Sequence, residues 1–141
     1  MNKSTRNILI IVGVAAIIIG LTSFSILRNK KNKIRCKDSV LFLGNSQTAN
    51  SNGYVERLQK HCQNSNFTKI AKSGAKSDWV LEEYKKLINE GKKYDWVAIM
   101  IGGNDIFARL SIDETKKNLQ EIFNLAKQNS SKVLFISSPT K

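Results

Sequence analysis

Trp96 to Ile101 is apolar at every position. An amphipathic helix would interrupt such a run with polar residues, and a half-buried strand would alternate. An unbroken apolar stretch of this length fits a strand covered on both faces, as in the centre of a parallel sheet. Parallel neighbours cannot be joined by hairpins. They need crossover connections, usually helices. The rest of the chain is therefore expected to alternate short apolar strands with amphipathic helices.

It does so in order. Val40–Leu43 is a short apolar run, too short for a helix, and Gly44 ends it. Tyr54–Cys62 reads as a helix, with Val55, Leu58 and Cys62 at helical spacing. After the turn Asn64-Ser-Asn66, Phe67–Ala71 reads as a second strand, followed by the loop Lys72–Ser77. Ser77 is placed to cap a helix whose apolar face is Val80, Tyr84, Leu87 and Ile88, with Gly91 at its carboxyl end. Gly102-Gly-Asn-Asp105 ends the third strand. Ser111-Ile-Asp-Glu114 is a capping box, and its helix presents Thr115, Leu119, Ile122, Phe123 and Ala126. Val133–Ile136 is a fourth strand. The pattern β-α-β-α-β-α-β predicts an α/β fold of flavodoxin-like type: three layers around a parallel sheet of order 2-1-3-4.

The amino-terminal quarter differs. Ile8–Leu27 is 20 residues without a charge, enough at helical rise to cross a bilayer core. A cleaved signal peptide would have a shorter apolar region ending in small residues, and Ser23-Phe-Ser25 is a poor cleavage site. Residues 1–27 thus read as a membrane anchor with one transmembrane helix, 28–37 as a basic linker, and 38–141 as the folded domain. The net charge is +12, but residues 1–37 carry 8 basic groups and no acid, which leaves 15 basic against 11 acidic, or +4, for the domain. No basic helix with interleaved aromatics and no zinc spacing is present, so the chain does not read as a nucleic-acid binder. Charge counting puts the domain in the cytoplasm, whereas long domains translocate largely regardless of charge. The expectation is a single-pass membrane protein with an extracytoplasmic domain.

Three loops follow the carboxyl ends of strands, and they carry Ser46, Gly74 and Asn104. In the order 2-1-3-4 the first strand lies between the second and third, so the loops meet over the switch point, where open α/β sheets bind ligands. Ser46 offers a hydroxyl nucleophile. Its own N–H, the Gly74 N–H and the Asn104 side-chain amide are three donors suited to one oxyanion. The same Gly44–Thr48 loop at a helix start also suits a phosphate.

These loops resemble the sequence blocks of the SGNH or GDSL hydrolases. Gly44-Asn-Ser46-Gln-Thr48 is similar to the first block, Lys72-Ser-Gly74-Ala to the second, and Gly102-Gly-Asn104-Asp105 to the third. Asn45 replaces the family's usual Asp. The resemblance spans about residues 39–141. It implies a serine ester hydrolase acting on acyl or acetyl esters, with Ser46 as nucleophile, Ser46, Gly74 and Asn104 as oxyanion hole, and neither cofactor nor metal. Implied partners are an ester-bearing small molecule, a lipid or an acylated carbohydrate. The family's histidine, three residues after an Asp, follows a fifth strand. This sequence stops before both, and its one histidine is His61, late in the first helix and expected on the surface. A serine hydroxyl without an adjacent base is a weak nucleophile. The expectation is a domain incomplete at its carboxyl end, inactive or nearly so. The alternatives are a membrane-tethered binding protein without catalysis, or a flavodoxin-like phosphate-binding module.

Cys36 precedes the first strand and Cys62 ends the first helix, so both fall at the same end of the sheet. A disulfide between them and two separate thiols both fit that placement.

Overall fold

Four segments pair into one parallel sheet of order β2-β1-β3-β4: β1 (Ser39–Gly44), β2 (Asn66–Ala71), β3 (Tyr94–Met100) and β4 (Ser130–Phe135). This is the expected order. The computed structural model describes residues 33–137, nearly all in a compact unit that begins at Arg35. The expected span Ile8–Leu27 lies outside the described residues, and among the described residues no helix is long and apolar enough to cross a membrane.

Side-chain alternation divides the sheet into two faces. Leu41 and Leu43 of β1 and Val97 and Ile99 of β3 join one buried cluster with Val80, Leu81 and Tyr84, and with Ile122 and Ala126. The last five belong to α3 (Ser77–Asn89) and α5 (Ile112–Asn129), so these two helices cover that face. On the other face Phe42 meets Tyr54 edge-on, with ring centroids 6.0 Å apart, and Phe67 at 5.4 Å. Tyr54 opens α2 (Tyr54–His61), which covers this side with Val55 buried beneath it. Trp96 points its indole N–H at the buried Asp38 carboxylate, 3.1 Å away, and so fastens β3 to the residue before β1.

Two short helices stand where loops were expected. Ser46–Ala49 is a single turn, α1, and Gly103–Phe107 forms α4. Both follow strands, and both are too short to be stable without help from their ends or surroundings. Asn45 caps α1, its side-chain oxygen accepting from the Gln47 N–H at 3.1 Å. Gly102 enters α4 at φ +107°, a conformation that L side chains rarely adopt.

Ser77 is a correction. It is the first residue of α3, not its cap; Lys76 holds the cap position and makes no side-chain cap bond. Ser111, in contrast, does cap α5, its hydroxyl accepting from the Glu114 N–H at 3.5 Å.

The cysteines form a disulfide, with Cα atoms 4.9 Å apart and a sequence separation of 26. It ties the segment before β1 to the carboxyl end of α2.

Candidate active site

The strand register sets the level of the three loops. Gly44 at the end of β1 lies opposite Ala71 of β2 and Met100 of β3. Three neighbouring strands therefore end in one row, about 4.8 Å apart. Ser46 begins two residues beyond the middle strand, Gly74 three residues beyond one neighbour, and Asn104 four beyond the other.

Ser46 is the first residue of α1 and is exposed. At that position the N–H has no partner within the helix. The turn sits tightly on the strand end because residue 44 is glycine: a Cβ there would lie 2.0 Å from Thr48 Oγ1. Thr48 is fully buried beneath the turn, and its Oγ1 lies 3.0 Å from the Tyr54 hydroxyl. That bond joins the serine's own turn to α2. Burial raises the Tyr54 hydroxyl pKa, opposed by the Thr48 bond, so Tyr54 stays a neutral partner here.

Gly74 lies in a turn closed by the Ala75 N–H on the Lys72 carbonyl at 3.2 Å, with φ +71° and open space around it. Asn104, half-buried in α4, donates from Nδ2 to the Ala75 carbonyl at 2.8 Å. The loops after β2 and β3 are thus bonded to each other past the end of β1, which lies between them in the sheet. Nδ2 carries two hydrogens, so this bond leaves one for another acceptor.

Three residues of this region were not singled out as site residues from the sequence. Asp105 is fully buried and caps α3 from a distance. Its carboxylate oxygens accept from the Ser77 N–H at 3.0 and 3.1 Å, and the Ser77 hydroxyl also donates to it. Asn118 of α5 donates to Ser77 Oγ at 3.2 Å. Asp105 stands next to Asn104 in the sequence, which is a usable signal. Asn118 is 41 residues from Ser77, and no local pattern announces it.

His61 is exposed at the carboxyl end of α2, next to the Cys62 that is bonded to Cys36. Cys36 precedes β1, so His61 lies at the amino edge of the sheet. A six-residue strand, about 17 Å long, separates that edge from the Ser46 turn. Trp79 packs against the core, with Lys72 Nζ 4.0 Å from its ring centroid. The phosphate alternative loses ground because the Asn45 side chain already occupies one of the few amides at the start of α1. Among the described residues no cluster of three His, Cys, Asp or Glu is arranged to hold a metal.

Residues 38–140 match the GDSL-like lipase/acylhydrolase family. No curated protein matches the sequence. Among solved structures the chain is similar to TesA, at 27% identity and TM-score 0.61, over 69% of this chain and 58% of that one. It is also similar to AlinE4, an SGNH-hydrolase family esterase, at 20% identity and TM-score 0.62, over 73% and 60%. A third is the psychrotrophic esterase EstA from Pseudoalteromonas sp., at 22% identity and TM-score 0.56, over 72% and 62%. The chain thus spans about three-fifths of the length of these structures.

Proposed function

The chain belongs to the GDSL-like lipase/acylhydrolase family, and from that membership we propose that it is a serine ester hydrolase with Ser46 as nucleophile. The observation that carries the reading is the row formed by Gly44, Ala71 and Met100, from which the Ser46, Gly74 and Asn104 loops leave together. In the proposed reaction the Ser46 hydroxyl attacks an ester carbonyl. The Ser46 and Gly74 N–H groups and the free Asn104 Nδ2 hydrogen take the developing negative charge. The alkoxide leaves with a proton, and water then releases the acid from the acyl-serine.

The 141 residues supply these donors but only one histidine, which is remote from Ser46. Turnover by this chain is accordingly slow, limited by the proton that Ser46 must lose. The substrate class is acyl or acetyl esters of a small alcohol, a lipid or a carbohydrate. The Ile8–Leu27 run supports tethering to a membrane. The Cys36–Cys62 disulfide favours the oxidising side of that membrane over the cytoplasm.

The test is hydrolysis of p-nitrophenyl acetate by the full chain and by Ser46→Ala. Serine hydrolases stripped of triad members keep about 10³–10⁴-fold over water, and Ser46-dependent turnover of at most that order is expected. Equal rates for the two proteins would leave a tethered binding protein as the better reading.

A further inference from the structure

Asn104 and Asp105 are adjacent in α4, and each reaches across to the segment after β2. Asn104 Nδ2 bonds the Ala75 carbonyl at 2.8 Å. Asp105 accepts the Ser77 N–H through both oxygens at 3.0 and 3.1 Å. The two bonds form consecutive rungs between the same two stretches of chain. Gly74 lies one residue before the first rung.

The chemistry of the second rung is costly for a merely structural cap. Burying a carboxylate without a cation costs several kcal/mol unless hydrogen bonds and dipoles replace its water. Asp105 is fully buried, and its bonded partners are the Ser77 N–H and hydroxyl. Both sit at the start of the 13-residue helix α3, where the helix dipole favours negative charge. A serine, threonine or aspartate at position 76 would cap the same helix locally, but that position is lysine. The cap comes instead from 28 residues away. Asn118 adds a third attachment, from α5 to Ser77 Oγ at 3.2 Å.

We propose that Asp105 is a positioning residue for the oxyanion donors: its carboxylate, bonded to the start of α3, locks the Asn104 side chain and the Gly74 turn in one relative geometry. This rests on the hydrolase reading for its consequence, but its structural content can be read without activity. Asp105 touches no substrate. It acts by holding the loop after β3 against the loop after β2, so that the remaining Asn104 N–H keeps its direction.

The experiment uses the full chain labelled with ¹⁵N, as wild type, Asp105→Asn and Asp105→Ala, with Asn104→Ala to assign the Asn104 side-chain signals. In Asp105→Ala the Asn104 Nδ2 pair is expected to move to exposed-amide values, and Ser77 amide exchange to quicken about tenfold or more. Ser46-dependent p-nitrophenyl acetate turnover should fall about 10²-fold with KM nearly unchanged, as for small displacements of a catalytic group. Asp105→Asn, which keeps an acceptor and the volume, should fall between. Lowered thermal stability with the Asn104 pair and the turnover per folded molecule unchanged would overturn the proposal and leave Asp105 a plain helix cap. Should Asp105→Ala fail to fold, Asp105→Asn decides, and an unshifted Asn104 pair in it overturns the proposal. Wild type without Ser46-dependent turnover would count against the hydrolase reading, and the Asn104 signals would still settle the positioning role.

Discussion

A Cβ on Gly44 would lie 2.0 Å from Oγ1 and 2.5 Å from Cβ of Thr48, and 3.1 Å from the Met100 carbonyl. Residue 44 is therefore the point where the Ser46 turn rests on the sheet. Thr48 is fully buried and bonded to Tyr54, so it has nowhere to retreat without moving α1 off α2. Gly44→Ala should cost about 1–3 kcal/mol, the usual range for overpacking a close contact. Urea unfolding of the two proteins measures it. A change below about 0.5 kcal/mol would mean that the turn is loosely seated.

Cys36 and Cys62 are joined, and the bond closes a loop with a sequence separation of 26. In the chain-entropy model such a loop contributes roughly 3 kcal/mol. Reduction, or the double substitution to serine, should lower unfolding stability by that order while leaving the sheet intact. Denaturant titration with and without reductant reads the first effect. Intact mass of the unreduced protein reads the bond itself, since two free thiols add about 2 Da.

Tyr84 is buried in the core, and its hydroxyl has no hydrogen-bond partner among the described residues. Burial, then the nearby Tyr94 charge, pushes this hydroxyl up to about 12 from an ordinary 10.0. The raised folded-state value fixes the sign. The neutral phenol's contribution is complete below pH 10.0 and is lost as pH rises through about 12. Tyr84→Phe keeps the ring and removes an unpaired polar atom. It should be within about 1 kcal/mol of wild type at neutral pH, or more stable. It should also shift the alkaline unfolding limb upward. A loss of 2 kcal/mol or more, on the order of a broken buried hydrogen bond, would show that the hydroxyl has a partner.

The fold was legible where a residue pattern answers to one physical cause. Apolar continuity at Trp96–Ile101 marked the strand covered on both sides, and Val97, Ala98 and Ile99 are indeed buried. The β4 boundary was placed late because Ser130–Lys132 is polar, as befits an outer strand whose residues stay half-exposed. At the site, Ser46, Gly74 and Asn104 stood out because glycine and short polar residues punctuate strand ends. Asp105 reads in the sequence only as the last residue of the segment that ends the third strand. Its meaning lies in a partner, Ser77, whose nearer role as a local cap was the simpler inference. The burial of Thr48 gave no signal, since its close approach to residue 44, which the glycine there permits, is visible only in the folded turn.

His61 lies at the amino edge of the sheet and Ser46 beyond the carboxyl edge, with β1, about 17 Å long, between them. Proton transfer requires hydrogen-bond reach, about 3 Å. His61→Ala should therefore leave Ser46-dependent turnover of p-nitrophenyl acetate unchanged within about twofold, well inside the 10²–10⁴-fold that a true general base contributes. The same reasoning predicts chemical rescue. Imidazole added to the buffer can enter beside the exposed Ser46 and take its proton. Imidazole also cleaves the ester directly, so the informative quantity is the wild-type rate minus the Ser46→Ala rate at each concentration. That difference should rise with imidazole, and more steeply above about pH 7, where the free base of imidazole predominates. A difference that stays flat while wild type already turns over at about 1 s⁻¹ or faster, the ordinary enzyme range, would show that another group of this chain serves as the base.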